Sequence, residues 1–180
     1  YDYTIALGSN GVKLYELTRA YGIYANGGFK VEPYGIERIE SSRGKVLYSA
    51  SRPRITKVLS SDTAATMTAM LRTVIEHGTG MAANIGRPAA GKTGTTDDYK
   101  DAWFVGYTPS VVMGVWVGND DNTKMGGLTG GTVPALIWRD IMRVAAESIG
   151  SDDFQYPEIS LDGSGKKSNP KLTSSDSRKN

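Results

Sequence analysis

The 180-residue sequence contains no cysteine and one histidine, His77. The absence of cysteine excludes disulfide bonds and thiolate metal sites from this chain, and it leaves the redox compartment open. With a single histidine, neither a cluster of histidine metal ligands nor a Ser-His-Asp triad is expected within these residues. The sequence therefore predicts no metal and no cofactor.

Long apolar runs and a strong charge of one sign are also lacking. No apolar run reaches the roughly 18 residues of a membrane-spanning helix, and no signal peptide is visible. The formal net charge of +2 is too small to indicate nucleic acid as a partner. Because the chain begins at Tyr1 rather than at a methionine, we expect a piece of a longer protein, with any anchor or export signal outside it.

The composition changes near residue 150. Residues 151–180 are rich in serine, lysine, aspartate and asparagine, and almost no apolar residue follows Leu161. Such a segment cannot bury enough apolar surface to offset the conformational entropy of the chain. We therefore expect residues 1–150 to form one folded part, and residues 151–180 to be a disordered polar tail.

Helical spacing of apolar residues predicts three helices. The first precedes Asn26-Gly27-Gly28, which supplies a left-handed stop. The second begins at Ser60 or Ser61, which offer N-caps, and ends at His77-Gly78, where a histidine cation suits the helix dipole and has a structural role. Its apolar stripe comprises Ala64, Met67, Met70, Leu71, Val74 and Ile75. The third, over 133–148 with Thr132 as its N-cap, is apolar on more than one face and should be well buried.

Two hairpins are predicted between these helices. The first turns at residues 41–44, between the strand-like runs 34–40 and 45–50. After the second helix, strand-like runs cover residues 89–95, 102–108 and 111–118, and Pro109-Ser110 separates the last two so tightly that they should be antiparallel. The order helix, small hairpin, helix, three strands, helix predicts an α+β fold with helices packed on an antiparallel sheet.

The stretch GRPAAGKTGTT, residues 86–96, has two interpretations. Gly86 and Gly91-Lys92-Thr93 have the spacing of a phosphate-binding loop, which would indicate a nucleotide hydrolase. Such a loop connects a buried strand to a helix whose N-terminal N–H groups bind phosphate. Here the preceding residues are loop-like, and a glycine, two threonines and two aspartates lead directly into a strand, so we consider the nucleotide hydrolase a remote alternative.

The same letters contain Lys-Thr-Gly-Thr at residues 92–95, which favours an edge strand beside a cleft. A cationic Lys92 can hold a substrate carboxylate and favour a deprotonated group nearby. The hydroxyls of Thr93 and Thr95 alternate onto one face, and Gly94 allows a ligand backbone to approach and add as a strand. The N–H of Thr95 could form half of an oxyanion hole. We therefore predict Lys92 and Thr95 as catalytic, and Thr93, Gly94 and Thr95 as substrate-binding.

An ordered set of stretches resembles the C-terminal half of the transpeptidase domain of class A penicillin-binding proteins, in the penicillin-recognising serine transferase and β-lactamase-like superfamily. Beyond Lys-Thr-Gly-Thr, the matching stretches are ALGS, RAYGIYANGG, GTG, AAGKTGTTDDYKDAWFVGYTP and VVMGVWVGND, which span roughly residues 5–121. The resemblance implies a D,D-transpeptidase that cross-links peptidoglycan stem peptides by serine acyl transfer and is acylated by β-lactams. It also implies a location at the extracytoplasmic face of the bacterial cell membrane.

The family's chemistry needs S-x-x-K, S-x-N and K-T-G, and only the third is convincing here. Ser42 to Lys45 has the first spacing, but it falls on a predicted hairpin turn; Ser164 to Lys167 has it in the polar tail. No S-x-N occurs, and Tyr24-Ala25-Asn26 imitates the Y-x-N variant while closing a helix. We therefore expect the N-terminal half of the domain, in the same or a separate chain, to supply the nucleophile, and this chain to be inactive alone.

The residues also allow other assignments. The chain could be a non-catalytic peptidoglycan- or partner-binding module that keeps the fold, and Lys92 could be an ordinary solvated strand lysine. We interpret Trp103, Phe104 and Trp116 as core aromatics of the second hairpin. The Asp97-Asp98 and Asp120-Asp121 pairs lack further acidic ligands, so we expect solvated loop ends rather than a metal site.

Overall fold

A computed structural model describes residues 3–8, 10–149 and 153–154. Its three α-helices are Leu14–Ala25 (α1), Ser61–Glu76 (α2) and Val133–Ile149 (α3). Its strands are Phe29–Val31 (β1), Arg38–Glu40 (β2), Val46–Ser49 (β3), Ile55–Lys57 (β4), Ala90–Thr95 (β5), Asp101–Tyr107 (β6) and Val112–Gly118 (β7). The predicted order and the α+β class are confirmed.

The main sheet has the strand order β5-β6-β7, and both pairings are antiparallel. Thr93 lies opposite Phe104, which lies opposite Val115. The predicted small hairpin is β2–β3. A further antiparallel pair, β1–β4, was not predicted, because its three-residue strands lie far apart in the sequence and carry too few residues for a period-two pattern.

Helices cover both faces of this sheet. Phe104 and Val115 pack with Trp138 and Met142 of α3 in one buried cluster. Successive side chains of a strand point to opposite faces, and Tyr107 accordingly packs on the other face, with Leu71 of α2 and Tyr21 and Tyr24 of α1. The core therefore forms two layers, one on each side of β5–β7.

The ends of α1 and α2 follow the local signals in the sequence. Gly27 and Gly28 adopt φ values of +62° and +97°, and the N–H of Gly28 donates to the carbonyl of Ile23, which closes α1. The hydroxyl of Ser60 accepts a hydrogen bond from the N–H of Thr63 and so caps α2. Met70, a member of the predicted apolar stripe of α2, is exposed.

Burial of α3 differs from the prediction. One face is buried through Pro134, Ala135, Trp138, Met142 and Ala146. A second apolar stripe is exposed and comprises Val133, Ile137, Ile141 and Val144. Within the described residues, β7 also pairs on one edge only. The expectation of a well-buried helix is wrong for the second apolar stripe of α3, because no described element packs over that stripe.

Two residues of the predicted polar tail are described. The ring of Phe154 packs edge-on against Tyr107 with 5.7 Å between ring centroids, and the guanidinium of Arg72 lies over the Phe154 ring at 5.9 Å from its centroid. Arg72 also pairs with Asp153 at 3.6 Å. All other residues of 151–180 lie outside the described part of the chain, so the prediction of disorder there stays a prediction.

Candidate functional site

The structure places Lys92, Thr93 and Thr95 on β5, the outer strand of the main sheet. Within the described residues, β5 pairs with β6 and with no other strand, so one of its backbone edges is open. No helix begins at Lys92, because residues 90–95 are extended and the next helical turn is the short 3-10 segment Asp97–Tyr99. The geometry of a phosphate-binding loop is therefore absent at Lys92, and the edge-strand prediction is confirmed.

The backbone groups of Thr93 and Thr95 point to the open edge. The N–H of Thr96 donates to the carbonyl of Asp101 at 3.0 Å, in line with the β5–β6 register. Residues of an antiparallel strand alternate between bonding the partner and facing away from it. Thr95 and Thr93, one and three residues before Thr96, therefore direct their N–H and C=O groups outward, where a ligand backbone could add as a further strand.

Lys92 places its cation at the same edge. Its side chain is exposed, and Nζ donates a 3.0 Å hydrogen bond to the carbonyl oxygen of Thr93, which faces outward. Within the described residues, no carboxylate lies within salt-bridge distance of Lys92. The positive charge is therefore available to an anionic ligand at the β5 edge.

The hydroxyls of Thr93 and Thr95 share one face of the sheet, since Thr93 lies opposite Phe104 and Thr95 opposite Ala102. The loop after α2 and the loop before α3 contact these hydroxyls. Oγ1 of Thr93 is 2.7 Å from Oγ1 of Thr79, and Oγ1 of Thr95 accepts a 3.1 Å hydrogen bond from the N–H of Gly130. Sequence reasoning did not assign Thr79 or Gly130, although the GTG stretch at 78–80 belongs to the resemblance.

Glycines allow these loops to approach the sheet. A Cβ on Gly130 would lie 2.2 Å from the carbonyl oxygen of Trp103 and 2.5 Å from that of Gly94. A Cβ on Gly94 would lie 3.1 Å from Cβ of Trp103. A side chain at position 94 would therefore crowd Trp103 by a few tenths of an ångström, and the predicted role of Gly94 toward a ligand stays a prediction.

One residue of each acidic pair, Asp98 and Asp121, makes contacts within this chain. Asp98 pairs with Lys124 at 2.8 Å, and Asp101 accepts a 2.8 Å hydrogen bond from the indole N–H of Trp116. Hydrogen bonds from the hydroxyl and the N–H of Thr123 lower the pKa of Asp121. In the part of the chain that the structure describes, no three acidic or histidine side chains are grouped as metal ligands would be.

The sequences that imitate the missing catalytic motifs lie elsewhere. Ser42 to Lys45 forms the β2–β3 turn, where Gly44 adopts a φ of +77°. Tyr24 and Ala25 end α1, and Asn26 is its C-cap. The predictions of a hairpin turn and of a helix end are confirmed at these positions, and Ser164 to Lys167 lies outside the described residues.

A cavity of about 430 Å³ opens between α1 and the β6–β7 turn, beside Arg19 and Val112. Because Val112 pairs with Tyr107 and Ala90 pairs with the same residue, this cavity lies at the end of the sheet opposite Thr95. None of the residues lining it belongs to β5. The candidate site is therefore an exposed strand edge rather than an enclosed pocket of this chain.

Comparison with known proteins assigns the chain to a family. Residues 3–143 match the family model of the penicillin binding protein transpeptidase domain. The chain is 40% identical over 157 residues to penicillin-binding protein 1A of Aquifex aeolicus, covering 86% of this chain and 22% of that protein. It is 36% identical over 180 residues to penicillin-binding protein 1A of Rickettsia typhi, covering 87% of this chain and 23% of that protein.

Solved structures agree with this assignment. The crystal structure of penicillin-binding protein 1A from Haemophilus influenzae superposes with a TM-score of 0.79 at 28% identity, covering 87% of this chain and 29% of that one. PonA1 from Mycobacterium tuberculosis in complex with penicillin V gives a TM-score of 0.75 at 28% identity, covering 87% of this chain and 43% of that one. The chain spans less than a quarter of the two curated relatives. On these findings, the chain belongs to the family of penicillin-binding protein transpeptidase domains.

Proposed function

We propose that this chain is the C-terminal part of a D,D-transpeptidase domain that cross-links peptidoglycan stem peptides by serine acyl transfer and is acylated by β-lactams. The observation that carries the proposal is the open edge of β5, where the Lys92 cation and the outward N–H of Thr95 lie together with two hydroxyls. In this proposal the chain supplies one wall of the active site, and the nucleophile comes from the preceding half of the domain.

Each group at the edge has a distinct part in the reaction. A stem peptide adds to β5 as an antiparallel strand through the outward backbone groups of Thr93 and Thr95. Lys92 attracts the carboxylate of the peptide or of a β-lactam and favours the deprotonated form of a neighbouring group. The N–H of Thr95 stabilises the oxyanion that forms when a serine oxygen attacks the substrate carbonyl, and a second donor completes the oxyanion hole.

Two uncovered surfaces support the proposal that another half of the domain binds this chain. The outer edge of β7 is unpaired within the described residues, and the apolar stripe of α3 that includes Ile137 and Ile141 is exposed. Unpaired strand edges and contiguous apolar patches are typical of surfaces covered by another part of a protein. We propose that the preceding half of the transpeptidase domain, in the same or a separate chain, covers them.

We place the complete protein at the extracytoplasmic face of the bacterial cell membrane, where peptidoglycan is cross-linked. None of the helices in the described residues is long and apolar enough to cross a membrane. In this proposal the anchor lies outside residues 1–180.

The test is acylation by a labelled penicillin, read by intact-mass and peptide mass spectrometry. The complete protein should form one stoichiometric penicilloyl adduct on a serine outside residues 1–180, and the 180-residue chain alone should form none. A complete protein that stays unlabelled would instead support a non-catalytic peptidoglycan-binding module. An adduct on Ser42 would show that this chain carries its own nucleophile.

The same assay measures the part taken by Lys92. In the complete protein, Lys92→Ala should slow acylation by roughly 30- to 900-fold, the equivalent of about 2–4 kcal/mol of transition-state stabilisation by a preorganised charge. Lys92→Arg should recover part of this loss, because it keeps the charge but not the compact ammonium. Lys45→Ala, which removes an exposed lysine from the β2–β3 turn, is the matched control and should leave the rate unchanged.

A further inference from the structure

The hydroxyls of Thr93 and Thr95 are held by groups from two loops that are distant from them in the sequence. Thr79 lies in the loop after α2, and Gly130 lies in the loop before α3. Thr79 Oγ1 contacts Thr93 Oγ1 at 2.7 Å, and the Gly130 N–H donates to Thr95 Oγ1 at 3.1 Å. These are hydrogen bonds of ordinary length.

The Gly130 bond determines how the Thr95 hydroxyl can act. A hydroxyl has one proton to donate and two lone pairs that accept. Because Thr95 Oγ1 already accepts from a backbone N–H, its own proton remains for another acceptor. Thr95 is exposed, so that acceptor can be a ligand at the β5 edge.

Thr79 can donate to the hydroxyl oxygen of Thr93, as the Gly130 N–H donates to that of Thr95, since either hydroxyl of the Thr79–Thr93 pair can be the donor. An anion bound beside Lys92 attracts the proton of Thr93, and Thr79 then donates to the oxygen of Thr93. Hydrogen bonds arranged in such a chain polarise one another and strengthen the terminal donor.

Packing holds the two loops together behind β5. A Cβ on Gly131 would lie 2.3 Å from the carbonyl oxygen of Thr79 and 3.7 Å from the methyl carbon of Thr93. The loop before α3 therefore rests directly on the backbone of Thr79, and the position of the Thr79 hydroxyl is coupled to that of Gly130.

We propose that Thr79 is a positioning residue which, with the N–H of Gly130, orients the hydroxyls of Thr93 and Thr95 as donors to the carboxylate of a β-lactam or stem peptide. This inference rests on the proposed function and extends it to residues that do not touch the substrate. It predicts that loss of the Thr79 hydroxyl impairs the recognition of a carboxylate more than the acylation chemistry itself.

The experiment compares Thr79→Ser and Thr79→Ala in the complete protein, because these variants differ by one hydroxyl. The probes are a labelled penicillin and its methyl ester, which lacks the anionic carboxylate. Thr79→Ala should lower the second-order acylation rate constant for the penicillin by about 10-fold, which is near the upper limit for the loss of one neutral hydrogen bond, and change that for the ester less than twofold. Thr79→Ser should behave as the wild type with both probes.

The ester rate also reports whether a variant is folded, and Thr66→Val is the matched control. This variant loses a hydroxyl that, within the described residues, donates to the carbonyl of Asp62 in α2, so neither rate should change. Equal losses with both probes in Thr79→Ala, or no loss with either, would overturn the positioning role. A wild-type protein that no penicillin labels would refute the proposed function itself, an outcome that is distinct from unchanged selectivity in a labelled protein.

Discussion

Replacing Gly130 by alanine should lift the loop before α3 away from the main sheet. The new Cβ would lie 2.2 Å from the Trp103 carbonyl oxygen, 2.5 Å from the Gly94 carbonyl oxygen and 2.8 Å from the Gly94 nitrogen. All three atoms belong to the backbone of paired strands, so they cannot rotate aside as a side chain could. Carbon atoms pack at about 3.5 Å from such neighbours, and the loop must therefore retreat by about 1 Å.

That displacement has a structural and a functional consequence. The 3.1 Å bond from the Gly130 N–H to Thr95 would lengthen to about 4 Å, beyond hydrogen-bonding distance. Overpacking of this kind costs about 1–3 kcal/mol, and the lost hydrogen bond adds about 1 kcal/mol. We expect the melting temperature of the transpeptidase domain to fall by about 5–10 °C. Penicillin acylation should slow by about 10-fold, because the Thr95 hydroxyl loses its orientation.

Differential scanning calorimetry and the acylation time course of the complete protein measure these two effects. Gly11→Ala is the matched control, because no atom of the described residues lies within 4 Å of the added Cβ and the φ of Gly11 is not positive. If Gly130→Ala and Gly11→Ala gave the same melting temperature, the inference that Gly130 packs closely against the sheet would be refuted. A lower melting temperature with an unchanged acylation rate would show that Gly130 supports the fold but not the Thr95 hydroxyl.

Two further predictions concern stability. Trp138→Ala should lower the free energy of unfolding, measured with urea, by about 3–5 kcal/mol, because the fully buried indole packs on Phe104 and donates to the Met113 carbonyl. The control is Leu47→Ala, at a site that is 62% exposed, and an equally small loss in both variants would contradict this prediction. A hydrogen bond from Lys30 and the charge of Arg19 hold the pKa of Glu32 below the ordinary value of a glutamate. The stabilising effect of this carboxylate is therefore present above that ordinary value and is lost as the pH falls through the lowered pKa of the folded state. Glu32→Gln should make acid unfolding in this range less steep, and unchanged acid titrations of stability would refute this.

The sequence by itself determined the elements that local chemistry controls. Two strand-like runs and the Pro109-Ser110 break were enough to place the β6–β7 hairpin, and the Ser60 cap and the Gly27-Gly28 stop were enough to place helix ends. The position of Lys92 on an edge strand also followed from the sequence, because the residues on either side of it show no helical pattern. These signals act within a few residues, so they can be read without knowledge of the fold.

Only the tertiary structure shows which groups contact the threonine hydroxyls of that strand. Thr79 and Gly130 lie 14 and 35 residues from their threonine partners, and a periodic pattern carries no information over such distances. The exposure of the α3 stripe likewise depends on which elements are present to cover it, since amphipathicity reports apolar faces but not their neighbours. Close backbone approach made Gly130 and Gly131 necessary, and it is a property of packed loops rather than of sequence pattern.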